Sequence, residues 1–125
     1  MKLKDSLYYI TRQSTGNKPL QYEVLLDEHH FIYQAHFPGE PITPGVCIIQ
    51  IAEELLEYHL NQMLNIQTVK NVKFLNVISP LKTPRITYEF AKIIVDDIAK
   101  TCKVQVQVLS DEEILAKLSF TCMLL

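Results

Sequence analysis

The residues of this chain whose types could do chemistry gather within 36–54, HFPGEPITPGVCIIQIAEE. His36 carries an imidazole, the side-chain type whose unperturbed pKa lies nearest neutral pH, which suits that type to proton transfer. Three prolines and two glycines between Phe37 and Gly45 exclude a regular helix or central strand, because proline lacks a donor N–H and glycine permits unusual backbone angles. The segment is therefore a shaped loop. Pro44 suits a helix start, leaving the N–H groups of Gly45 and Val46 unpaired at the positive end of the helix dipole, where a carbonyl oxygen would bind. Gln50 and Glu54 follow four residues apart, on one helical face. Cys47 falls in the first turn, where a thiolate would gain from the dipole, although packing against the loop is the plainer reading. His29, His30 and His36 lack the Cys or Asp spacing of a tetrahedral metal site, so no metal is expected.

The elements that must position these groups are read from periodicity. Strands are expected over 6–11 and 20–27, joined by a TGNKP turn, and an extended segment over 31–35 should deliver His36 to the loop. A helix is expected over 44–63. Gln50, Glu53, Glu54, Glu57 and Asn61 share its narrow polar face, and Val46, Ile49, Ile51, Ala52, Leu55, Leu56, Leu60 and Met63 fill a broad apolar one. So wide an apolar face calls for a sheet wrapped around it and for a partner subunit. Strands over 68–78, 85–94, 100–109 and 114–123 follow, the third alternating strictly in KVQVQVL. Tyr8, Tyr9, Tyr22 and Tyr33 suit half-buried sheet positions. The pattern is α+β, an antiparallel sheet curled around a central helix, and 1–125 is the size of one domain.

Composition narrows the function classes. A net charge of −2 gives no general attraction to nucleic acid or membrane, no apolar run is long enough to cross a bilayer, and MKLKDS lacks the apolar stretch of a signal peptide. A cytoplasmic location is expected. Three distant cysteines, Cys47, Cys102 and Cys122, with no CxxC pair, read as buried small hydrophobes rather than a disulfide framework. Charge is uneven: no acidic residue occurs between Glu57 and Glu89, whereas Lys70, Lys73, Lys82 and Arg85 do. Such a stretch could steer an acidic partner, or be the solvated positions of two strands.

His36, Phe37, Pro38, Gly39, Pro41, Pro44, Gly45 and Val46 together resemble the signature loop of the 3-hydroxyacyl-acyl-carrier-protein dehydratases, a family with the hotdog fold. The resemblance implies dehydration of 3-hydroxyacyl thioesters in fatty-acid, lipid or polyketide-type synthesis. It implies no cofactor, an acyl carrier protein as partner, and a homodimer or trimer of dimers. His36 holds the position of the family's base, and the Gly45 N–H that of the donor to the thioester oxygen. Phe37 and Val46 would flank the substrate, and Lys70, Lys73, Lys82 and Arg85 would meet the carrier protein.

One position departs from the family pattern. The acid fourteen residues after the histidine, contributed across the dimer, is Gln50 here, and Glu54 stands one turn on, where the family commonly has glutamine. An amide can hold a hydroxyl or a water but does not donate a proton and remain a stable anion. The expectation is that Glu54 supplies the carboxylate while Gln50 orients the hydroxyl or a bridging water; the bland alternative makes Glu53, Glu54 and Glu57 a solvated edge. Two rivals remain: a catalytically incomplete hotdog subunit that binds acyl carrier protein or partners an active homologue, and an acyl thioesterase.

Overall fold

A computed structural model describes residues 1–14, 16 and 19–125. The TGNKP turn lies largely outside the described residues. Six strands, β1 (Tyr8–Ser14), β2 (Leu20–Leu26), β3 (Leu64–Phe74), β4 (Arg85–Asp96), β5 (Thr101–Ser110) and β6 (Glu113–Leu124), form one antiparallel sheet in the order β1-β2-β4-β5-β6-β3. Two helices, α1 (Ile32–Ala35) and α2 (Gly45–Leu60), lie between β2 and β3 in the chain. This is the hotdog arrangement, with α2 against the inner face of the curled sheet. β1 and β3 are its edges.

The core forms where the two periodicities meet. Along β5, Cys102, Val104, Val106 and Val108 are buried, and Lys103 and Gln105 point outward. Against them α2 turns Cys47, Ile48, Ile51, Ala52, Leu55 and Leu56, each fully or nearly buried. At about 1.5–3 kcal/mol per large aliphatic side chain removed from water, this layer is the main reason α2 stays helical. All three cysteines are buried and free, and burial pushes their thiols up, Cys122 to about 12. Cys47 is thereby held as a neutral packing group in spite of its place at the helix start.

Three expectations are corrected. Residues 31–35 are not extended: the His30 Nδ1 accepts the Ile32 N–H at 3.1 Å, and turn bonds from Tyr33 to the His30 carbonyl and from Gln34 to the Phe31 carbonyl wind the segment into α1. Tyr33 is accordingly a buried helical residue rather than a half-exposed strand residue, and Tyr8 and Tyr22 are fully buried. β3 starts at Leu64, four residues early, because the carboxylates of Glu57 and Glu53 receive the N–H groups of Leu64 and Ile66, each at 2.8 Å. The sheet leaves part of the broad apolar face of α2 open in the single chain, where Val46 is 75% exposed and Met63 is also exposed.

Candidate functional site

α2 begins without a capping side chain. Pro44 is its N-cap, in extended conformation, and its carbonyl receives the N–H of Cys47 at 3.0 Å and of Ile48 at 3.1 Å. The N–H groups of Gly45 and Val46 have no partner among the described residues. Gly45 lines an open cavity of about 490 Å³ shared with Ile42, Thr43, Ile48 and the 74–78 segment. The Phe74 ring closes over this glycine so tightly that a Cβ on Gly45 would sit 2.8 Å from it. An unpaired pair of donors beside an apolar recess is a seat for a carbonyl oxygen.

The loop before it is pinned at both ends. The Tyr33 hydroxyl and the Thr43 Oγ1 are 2.8 Å apart in the core, and the Thr43 N–H reaches the Ile78 carbonyl at 2.8 Å. Burial raises the Tyr33 phenol to about 12, so it remains a neutral pin. Between the pins His36 ends α1, and Phe37 takes a left-handed φ of 59°. A non-glycine residue there costs about 1–2 kcal/mol, and it turns the Phe37 ring outward, 64% exposed. The loop is thus fixed while its two chemical side chains face outward. Tyr33 was expected at a half-buried sheet position rather than as a pin, and Thr43 did not stand out in the sequence; a hydroxyl directly before the Pro44-Gly45 start was the available signal.

His36 is exposed, forms no side-chain hydrogen bond among the described residues, and does not line the cavity beside Gly45. Phe37 and Val46 are similarly open to solvent. Within one chain, no hydrogen bond joins His36 to Gln50 or Glu54. Gln50 is half-buried on the same face of α2 as Val46, one turn on.

Glu54 differs most from its expectation. It is only 5% exposed, so the acidic residues of α2 are not a solvated edge. Its Oε1 accepts the Lys4 N–H at 2.7 Å and the Tyr8 hydroxyl at 2.9 Å; its Oε2 accepts the Leu3 N–H at 2.8 Å and the Gln50 Nε2 at 2.9 Å. The carboxylate that the sequence offered as a proton donor is engaged by four donors of its own chain. The buried Tyr8 phenol is pushed far above its ordinary range, first by desolvation and then by the Glu54 charge.

Lys70, Lys73, Lys82 and Arg85 are all exposed, but the fold separates them. Lys70 shares a groove on the outer sheet face with Lys92 and Lys103; Lys73 faces Lys117 across β3 and β6; Lys82 lines a cavity with Gly39 and Pro41; Arg85 starts β4. Lys92, Lys103 and Lys117 escaped the sequence reading because strand pairing, not chain order, assembles them. Among the described residues no three His, Cys, Asp or Glu side chains cluster as metal ligands, and no helix is long and apolar enough to cross a membrane.

Comparison with known proteins bears on the fold and the family. The chain is 30% identical over 69 residues to the 3-hydroxyacyl-[acyl-carrier-protein] dehydratase FabZ of Clostridium acetobutylicum, a match spanning half of this chain and 49% of that relative. Its fold resembles a solved chain of the dehydratase heterocomplex ApeI:P from Xenorhabdus doucetiae, with a TM-score of 0.64 and 16% identity over 92% of this chain and 96% of that one. It also resembles a thioesterase solved with coenzyme A from Streptococcus pneumoniae, with a TM-score of 0.62 and 11% identity over 94% and 85% of the two chains. At such identities the solved structures establish the hotdog fold alone. The family model of the ApeI-like proteins, described as ApeI dehydratase, matches residues 11–118, and the chain therefore belongs to that hotdog dehydratase family.

Proposed function

We propose that this protein dehydrates 3-hydroxyacyl thioesters carried on acyl carrier protein. The observation that carries the reading is the uncapped start of α2, with two free N–H groups beside an apolar recess, at the end of a loop that opens on an outward-facing histidine and is pinned at Tyr33 and Thr43. In this reading the Gly45 N–H polarises the thioester carbonyl, which acidifies the neighbouring carbon, and a neutral His36 imidazole removes the proton from it. Phe37 and Val46 flank the acyl chain. Gln50 meets the substrate hydroxyl, and Glu54 acts behind it. Because His36 and Gln50 are not joined within one chain, the site is completed across a subunit seam in a homo-oligomer. Of the separated basic residues, Lys82, beside Gly39 and Pro41 of the loop, meets the acidic carrier protein, and Lys70, Lys73 and Arg85 add only long-range attraction to it, in the cytoplasm. Neither a metal nor a cofactor enters the reaction.

The test is turnover of a 3-hydroxyacyl-carrier-protein thioester to its 2-enoyl product, followed by mass spectrometry. His36→Ala should lower the rate at least about 100-fold while leaving circular dichroism and melting temperature unchanged, since the side chain is exposed and forms no hydrogen bond among the described residues. Retained activity in His36→Ala would end the reading. A second reading makes the chain the incomplete member of a mixed hotdog assembly. The amide at position 50 favours it, and the ApeI relative was solved as a heterocomplex. Purified protein inactive alone but active when mixed with a second hotdog dehydratase chain would select it, and release of free thiol would select a thioesterase instead.

A further inference from the structure

The Gln50 side chain is oriented by partners that leave it one role. Its Nε2 donates to the Met1 carbonyl and to the Glu54 Oε2, the latter at 2.9 Å. Both partners are acceptors, so turning the amide over would set its oxygen against two oxygens. The amide oxygen is thereby left without a donor among the described residues, on the half-buried face of α2 one turn from the exposed Val46. Glu54 is already committed elsewhere, because all four groups hydrogen-bonded to its two oxygens donate to it.

We infer that Gln50 offers the substrate only a hydrogen-bond acceptor, which accepts a hydrogen bond from the 3-hydroxyl and holds that group in place while its hydrogen stays on the oxygen, with Glu54 as the positioning residue that sets the amide. The inference rests on the dehydratase reading above and deepens it. With no acid at position 50 and a committed carboxylate at 54, the proton for the departing hydroxyl comes from the base itself. Neutral His36 takes the proton from the carbon beside the thioester carbonyl. The electron pair of that C–H bond forms the carbon–carbon double bond as the C–O bond to the 3-hydroxyl breaks. The imidazolium then returns the same proton to the leaving oxygen, so one water departs, His36 is neutral again, and no other reactant is used.

A pH profile separates this from a two-group mechanism. With a saturated 3-hydroxyacyl thioester of acyl carrier protein as probe, kcat/KM of the wild type should rise through a single ionisation to a plateau, since only neutral imidazole is required. Glu54→Gln should lower kcat and keep that shape. Gln50→Met, which removes the acceptor at nearly constant size, should lower kcat/KM about 10-fold or more without adding a limb. Gln50→Glu should add a falling alkaline limb as a true acid is introduced. A bell-shaped wild-type profile whose alkaline limb vanishes in Glu54→Gln, or undiminished turnover in Gln50→Met, overturns the inference while the dehydratase reading stands. Absence of any wild-type turnover overturns both. Should Glu54→Gln fail to fold, the wild-type profile and Gln50→Met still decide.

Discussion

At the scale of single residues, the three glutamates of α2 act as acceptors for backbone that the sheet does not satisfy. Glu57 takes the Leu64 N–H and Glu53 the Ile66 N–H, and together they set where β3 begins. Burial lifts the Glu53 carboxyl above its ordinary value of 4.5; the Ile66 N–H opposes this, and the charges of Glu57 and Glu54 add to it. A carboxyl whose pKa is higher folded than unfolded binds protons more tightly in the native state. Its contribution to stability is therefore full below the unfolded pKa and is lost as pH rises through the folded one. Glu53→Gln keeps an acceptor for the Ile66 N–H and removes the desolvated charge. Melting temperatures measured from pH 4.5 to 7 should decline less steeply with pH in the variant, which should be the more stable protein at pH 7; a wild type that gains on the variant as pH rises would contradict this.

At the scale of elements, the buried Glu54 fastens the first residues of the chain and the start of β1 to the middle of α2. Among the described residues the segment before β1 has no sheet partner beyond one isolated bridge from Lys4 to Tyr8, so this carboxylate substitutes for a strand pairing. Glu54→Ala would leave the Leu3 and Lys4 N–H groups and the Tyr8 hydroxyl without their acceptor, at about 1–3 kcal/mol for each group that stays buried. Urea unfolding should show a loss of about 3 kcal/mol or more, with hydrogen exchange accelerated first over the N-terminal segment. A loss below about 1 kcal/mol would mean that water replaces the carboxylate at little cost. The same contact carries function in our reading, because what ties down the N-terminus also aligns Gln50.

At the scale of the whole molecule, apolar side chains are left uncovered at the sheet edge and at the loop and helix start. Val69 and Phe74 on the edge strand β3, Leu75 and Val77 beyond it, and Phe37 and Val46 at the loop and helix start are all exposed. An edge strand of eleven residues also presents unpaired backbone donors and acceptors. Such a margin favours association, at about 1.5–3 kcal/mol for each large apolar side chain that a second copy would bury. Leu75→Lys combined with Val77→Lys should convert an oligomer to monomer in sedimentation velocity without loss of circular dichroism, and should abolish turnover together with assembly. Wild-type protein sedimenting as an active monomer would sever the link between seam and site.

The sequence by itself determined the periodicities, and through them the central helix, five of the six strands to within two or three residues and the antiparallel sheet around the helix, because local hydrophobic alternation selects each element before any long contact forms. It also determined the loop with His36 and the free helix start, since proline and glycine act on their own backbone. Only the tertiary structure decided what the polar residues of α2 touch. Gln50, Glu53, Glu54 and Glu57 read as one stripe on a wheel, yet their partners come from Met1, Ile66, Leu3 and Leu64, which approach only after the sheet closes. A carboxylate's chemistry depends on whether donors or water surround it, and sequence spacing along a single helix carries no record of segments that arrive from elsewhere in the chain.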